Sequence, residues 1–180
     1  MSVLGERGDG AACGGAVPRV ADALTVASRK LAPSGHDLVL VDAPCSSSGT
    51  LRRHPGLRWS GAWGSGGCSA AATERSQLPA LQRRLLHQAA AHTKPGGRLV
   101  YATCSLDPSE NAQVADAFES QYADRQLEPW PFAEGVPGVH EHARHHRTLW
   151  PHRHGTDGFF IARWRMGVAM GETAGLRFIK

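Results

Sequence analysis

The sequence predicts an α/β domain, a sheet with helices on its faces, and three observations carry that expectation. Two short continuous apolar runs, Asp37 to Asp42 (DLVLVD) and Arg98 to Thr103 (RLVYAT), have the character of strands buried in a parallel sheet. Between them Leu78, Leu81, Leu85 and Leu86 recur at i, i+3, i+7 and i+8, the stripe of an amphipathic helix. A second helical pattern and a third strand follow, so the order is strand, helix, strand, helix, strand.

Met1 to Val17 is rich in Gly and Ala without a period and reads as a poorly structured lead-in. Arg19 to Asp22 is expected to be a short strand ending in an acid. Ala23 to Leu31 is a short helix or a connection. The strand Asp37 to Asp42 runs into APCSSSG, a run of turn formers. Leu51 to Trp59 is basic and reads as a loop. Ser60 to Thr73 (SGAWGSGGCSAAAT) is low in complexity, as an inserted surface loop would be. The first helix is expected from Ser76, with Pro79 in its first turn and Lys94-Pro95-Gly96-Gly97 as its stop. After Thr103, Asp107 is placed to cap a second helix, with Pro108 at its first position and Glu110 at the third; Val114, Phe118 and Tyr122 form its apolar face. Gln126 to Arg147, rich in Pro, Gly and His, is expected to be mostly irregular. Gly158 to Trp164 (GFFIARW) is the third strand. The expected division is a lead-in over 1–17, one domain over 18–165 interrupted by the loop at 60–73, and a tail over 166–180. No repeat of the solenoid or propeller kind is visible.

The chain has 180 residues, 41% of them hydrophobic, which is enough for one domain with a core and argues against wholesale disorder. Its net charge of +4 and pI of about 9.2 bias it mildly toward polyanions. No segment has the pattern of a signal peptide, and no apolar run spans a bilayer. A soluble, intracellular protein with reduced thiols is expected, without a membrane partner. The four cysteines, Cys13, Cys45, Cys68 and Cys104, form no CxxC pair. Six of the ten histidines fall between His140 and His154, but none has a metal-binding spacing such as HExxH. No metal is expected. His154 and Asp157, just before the last strand, are expected to hold local structure.

In open α/β sheets the ligand crevice lies beyond the carboxyl ends of the strands. Asp42-Ala43-Pro44-Cys45 lies just beyond one strand and Thr103-Cys104-Ser105 just beyond the next. If these strands are parallel neighbours joined by a right-handed crossover, both cysteines and an acid face one crevice. Each cysteine is flanked by Pro, Ser or Thr rather than by core residues, which favours chemistry over service as a small buried hydrophobe.

The wording of these segments points further. DAPCSSSGTLRRHPGLRW (Asp42 to Trp59), GGRLVYATCSLDPSEN (Gly96 to Asn111) and HGTDGFFIARW (His154 to Trp164) resemble, in order, three signature segments of the RsmB/Sun family of RNA cytosine-5 methyltransferases. With a weaker match near Asp22, the resemblance covers most of Pro18 to Trp164. It implies a Rossmann-like class I methyltransferase sheet with helices on both faces. The implied cofactor is S-adenosylmethionine and the implied substrate RNA, ribosomal RNA foremost. The resemblance assigns Cys104 as the thiolate that adds to cytosine C6 and Cys45 as the residue that aids release. Asp42 is implied to contact the target cytosine or the cofactor, and Asp22 the adenine side of the cofactor. Arg52, Arg53, His54 and Arg58 are implied to face RNA, with Trp59 stacking on a base or anchoring the loop.

Two departures stand out. Upstream of Asp22 the family carries a strand and a DxCAxPGGK-type loop for the methionine end of the cofactor, and SVLGERGDGAACGG does not have that order. The N-terminal strands are therefore expected to be truncated, leaving a sheet edge exposed. The loop at 60–73 is the second departure. The alternative reading is a non-catalytic RNA-binding remnant. An amino-group methyltransferase is disfavoured, because such enzymes carry an Asn/Asp-Pro-Pro-aromatic loop where this chain has Asp42-Ala43-Pro44-Cys45.

Overall fold

A seven-stranded mixed sheet frames the molecule in the computed structural model, which describes residues 2–6, 19–21, 35–58, 70–122, 127–139 and 143–167. Asp22, Trp59, Cys13, Cys68 and most of the 60–73 loop lie outside these residues. The strands are β1 (Ser2–Glu6), β2 (Arg19–Ala21), β3 (His36–Asp42), β4 (Thr93–Thr103), β5 (Leu127–Pro129), β6 (His146–Leu149) and β7 (Phe159–Met166). The helices are α1 (Ala70–Ala91), α2 (Ala112–Tyr122) and the single turn α3 (Pro151–His154). The strand order is β2-β1-β3-β4-β7-β5, with β6 also pairing with β7.

The two apolar runs form the centre. β3 and β4 pair in parallel, Val39 opposite Leu99 and Val41 opposite Tyr101, and α1 lies in the connection between them. Alternate residues of the central strands point to one core. Val39, Val41, Leu99, Tyr101, Phe160, Ala162 and Trp164 are each at most 2% exposed there. They meet Leu85, Leu86, Ala89 and Ala90 of α1 and Val114, Ala115, Phe118 and Tyr122 of α2. Phe118 is the hinge of this packing, its ring 4.5 Å from Tyr122 and 5.2 Å from Trp164. Leu38, Leu40 and Val100, on the other face, are half-buried, which is why these strands read as continuous rather than alternating runs.

Several local expectations change. The lead-in contains β1, which pairs antiparallel with β3 from Ser2 opposite Asp42 to Glu6 opposite Leu38. The edge of β3 is thereby covered, satisfying backbone groups that would otherwise be left open. Helix α1 starts at Ala70, inside the stretch read as an inserted loop, and Pro79 lies in its interior rather than its first turn. The Ala-rich segment 70–72 has high helix propensity, and the chain accepts the hydrogen bond lost at Pro79. Lys94 to Gly97 ends α1 but belongs to β4, which begins at Thr93 with a register irregularity between His36 and Leu38. Gln126 to Arg147 is mostly irregular among the described residues, as expected, but carries β5, the start of β6 and the Trp130 ring, over which the Arg163 and Arg98 guanidinium carbons lie 4.1 and 4.8 Å from the ring centre. Among the described residues no helix is long and apolar enough to cross a membrane.

Candidate active site

The carboxyl ends of β3 and β4 each continue into a loop that delivers a cysteine. Ala43 extends the parallel pairing by donating its backbone N–H to the Ala102 carbonyl at 2.9 Å. Two residues later the loop presents Cys45, and Cys104 follows β4 directly. Their sulfurs lie 3.2 Å apart, although the residues are 59 apart in sequence. This is the juxtaposition expected from the two strand ends.

The two thiols are not equivalent. A hydrogen bond from Cys45 pushes the Cys104 thiol down to about 6, against burial, and the Ser47 hydroxyl 3.5 Å away adds to the effect. The nearby charge of Asp42 opposes it. Cys45 moves the other way: donating to Cys104 and being buried both hold it as a neutral thiol far above the ordinary cysteine range. These opposite directions favour Cys104 as the thiolate and Cys45 as the thiol of the pair. The partner cysteine is the main cause, with Ser47 adding to it. Replacing Cys45 with Ala is expected to remove the main stabiliser of the thiolate and move Cys104 upward. Alkylation of Cys104 by iodoacetamide as a function of pH checks this: a midpoint near 6 in the parent, higher in the variant.

A polar scaffold holds both loops, and most of its members escaped the sequence reading. Ser47 has a left-handed backbone (φ 57°), unusual for a non-glycine residue. Around it, Ser46 Oγ and Ser48 Oγ lie 3.0 and 3.1 Å from Ser105 Oγ, and Ser48 Oγ accepts from the Leu106 N–H at 2.7 Å. Asn111 donates to the Ser105 carbonyl at 2.9 Å, and its own carbonyl accepts from Thr103 Oγ1 at 2.6 Å. Asp107 caps the short 3-10 turn Pro108–Glu110 rather than α2 itself, which starts at Ala112, and accepts from the Ser109 N–H at 2.9 Å. Glu110 does not complete a capping box. Its buried carboxylate reaches instead across to the cysteine loop, accepting from the Ser46 N–H at 2.8 Å and from Gln82 at 3.3 Å, while Gln82 also donates to the Pro44 carbonyl at 2.8 Å. The backbone N–H of Asp107 has another partner, Ser105 Oγ at 3.0 Å, so Glu110 is released for this tertiary role. The only sequence signal was the density of hydroxyls in CSSSG and TCS, which reads equally well as turn chemistry.

Glycine makes the close approach possible. Gly49 donates to the Cys104 carbonyl and accepts from the Gly158 N–H, both at 2.9 Å. A Cβ on Gly49 would lie 2.2 Å from the Gly158 carbonyl oxygen. The loop before β7 is therefore locked to the cysteine loops backbone to backbone.

The basic stretch is partly committed. Arg53 pairs with Asp157 at 2.7 Å and Arg52 with the same carboxylate at 3.5 Å, while both side chains stay more than 60% exposed. Asp157 is buried, so it fixes the position of the stretch beside β7. His54 and Arg58 are exposed. A double-mutant cycle with Arg53→Ala and Asp157→Asn is expected to give a coupling of about 1 kcal/mol by chemical denaturation, modest because the arginine is solvated. His154 serves locally, accepting from the Trp150 N–H at 2.8 Å. Asp42 is exposed at the end of β3, close enough to Cys104 for its charge to act on the thiol. Asp22, the other acid expected near a cofactor, lies outside the described residues.

Comparison with known proteins extends this picture. The protein PH0851 matches with a TM-score of 0.63 and 34% identity over 77% of this chain and 28% of that one. NSun6 from Pyrococcus horikoshii, solved with SFG, matches with a TM-score of 0.56 and 25% identity over 73% of this chain and 30% of that one. Sheet, crossover and neighbours together define a Rossmann-like methyltransferase domain. The family model described as 16S rRNA methyltransferase RsmB/F matches residues 20–165, and the chain belongs to that family. Among curated proteins, the Ribosomal RNA small subunit methyltransferase B of Pasteurella multocida is 38% identical over 135 residues, 74% of this chain and 26% of that protein. The chain thus spans about a quarter of the length of the curated relatives it matches.

Proposed function

We propose that the chain carries the acceptor-base half of an S-adenosylmethionine-dependent RNA cytosine-5 methyltransferase acting on ribosomal RNA. The observation that carries this reading is the cysteine pair, 3.2 Å apart at two parallel strand ends with opposite titration shifts. C5 of cytosine is a weak nucleophile, and addition of a thiolate to C6 turns the ring into an enamine that is reactive at C5. Cys104 supplies that thiolate. Once its sulfur is bonded to C6, it no longer accepts from Cys45, and the main cause of the high Cys45 value disappears. With that cause gone, Cys45 can release its own proton to solvent, and the resulting thiolate takes the C5 proton. Elimination breaks the sulfur–C6 bond, and the electron pair returns to Cys104, where the Cys45 thiol again stabilises the thiolate.

S-adenosylmethionine would supply the methyl group as an electrophile. Asp42 fits a role beside it or at the cytosine amino group, because its carboxylate is exposed at the strand end where both would meet. The NSun6 relative was solved with an analogue of this cofactor, which supports the same assignment. Arg52, Arg53, His54 and Arg58 would contact RNA phosphates, with the Asp157 pairing holding two of them in place. Ribosomal RNA is favoured by the name of the Pasteurella relative.

The test is transfer of labelled methyl from S-adenosylmethionine to ribosomal RNA, together with trapping on RNA containing 5-fluorocytosine. Fluorine blocks release, so a covalent protein–RNA band that maps to Cys104 is expected. Label on the exocyclic amino group, or RNA retained with no label and no adduct, would sink the reading; the latter result would leave a non-catalytic RNA-binding module.

A further inference from the structure

Away from the cysteines, three side chains from separate elements converge on one point. Glu119 lies on α2, His146 opens β6, and His145 immediately precedes it. The Nε2 atoms of His145 and His146 lie 2.7 and 3.3 Å from Glu119 Oε1, and one ligand atom from each of the three residues lies within 4.8 Å of the other two. We propose that Glu119, His145 and His146 form a binding site for a zinc-class divalent cation, which ties α2 to the start of β6.

Four features support this. The donor set, two imidazoles and one carboxylate, is that of three-ligand zinc sites, which leave a further position for water. The spacing is close to what such an ion needs, since ligands about 2.0 Å from a tetrahedral centre stand roughly 3.3 Å apart. The Trp164 indole N–H donates at 2.8 Å to the same Glu119 Oε1 that the histidines approach and fixes the carboxylate's position, the kind of outer support that metal-binding carboxylates have. There is also a path of entry: both imidazoles are buried, but the Glu119 side chain is 32% exposed. The site also accounts for part of the histidine density that the cysteine chemistry leaves unused. No motif spacing announced it, because the carboxylate comes from a helix outside the histidine-rich stretch.

The rival account is a closed network in which both imidazoles simply donate to the carboxylate. Cobalt(II) separates the two. The full chain is treated with iodoacetamide so that no thiol can bind metal, stripped with a chelator and titrated with cobalt chloride. One cobalt per chain is expected, with the visible d–d absorption of a low-coordinate site, displaced by zinc and accompanied by a higher melting temperature. Glu119→Gln, at the half-exposed member, preserves side-chain volume and a carbonyl that can accept from Trp164. It is expected to weaken binding about 10-fold or more with an unchanged circular dichroism spectrum. His145→Gln is expected to do the same. Absence of stoichiometric uptake by the parent chain, or affinity unchanged in Glu119→Gln, overturns the proposal in favour of the closed network.

Discussion

Replacing Cys104 with Ala is expected to reduce methyl transfer by roughly 1,000-fold or more, the scale of loss when a nucleophile is removed. The variant should fold, because Cys104 lies at a loop start outside the core cluster and the smaller side chain introduces no clash. Binding of RNA should survive, since the basic stretch is held by Asp157 and not by the thiol. Cys45→Ala should behave differently. It keeps a nucleophile but takes away the partner that stabilises its thiolate and supports elimination, so the slower transfer should end in an accumulating protein–RNA adduct. Denaturing electrophoresis with labelled RNA distinguishes them: no adduct for Cys104→Ala, a persistent one for Cys45→Ala. Equal adduct in both variants would reverse or abolish the assignment of roles.

Replacing Gly49 with Ala is expected to be the most damaging single change outside the cysteines. The added Cβ would meet the Gly158 carbonyl oxygen at 2.2 Å and its carbon at 2.7 Å, both backbone atoms that no rotamer change can move. Overpacking against flexible side chains costs about 1–3 kcal/mol, and a clash between two backbones belongs at or above the upper end. A fall in melting temperature of roughly 10 °C follows for a chain of this size. The displacement would also break the hydrogen bonds from Gly49 to Cys104 and from Gly158 to Gly49, pulling the two loops apart. Cys104 alkylation at pH 7 should therefore slow along with methyl transfer, as the thiols separate. A variant with parent-like melting and alkylation would show that the loop has slack the close approach does not suggest.

The strands around Val39 and Leu99, the helix carrying Leu85 and Leu86 and the Asp107 cap were legible because each is a pattern of neighbouring residues. Boundaries were less so. Only the run of three alanines at 70–72 separates the start of α1 from the glycine-rich run before it, and β1 has no period of its own; its conformation follows from pairing with β3. Glu110 shows the same limit in the site. Three residues after Asp107 it fits a capping box, yet its partners Ser46 and Gln82 come from other elements.

By itself the sequence determined the class of sheet, the two cysteine loops beyond its strand ends and the family to which their wording points. These rest on contiguous residues, where side-chain period and turn chemistry act directly. Only the tertiary structure brought Cys104 and Cys45 within 3.2 Å with opposite titration shifts, joined Asp157 to Arg52 and Arg53, and set Glu119 against two histidines. The physical reason is that a thiol's acidity, an ion pair and a ligand set depend on distances of a few ångströms between elements far apart in the chain. Those distances are set by the packing of strands and helices on one another, which no local pattern records.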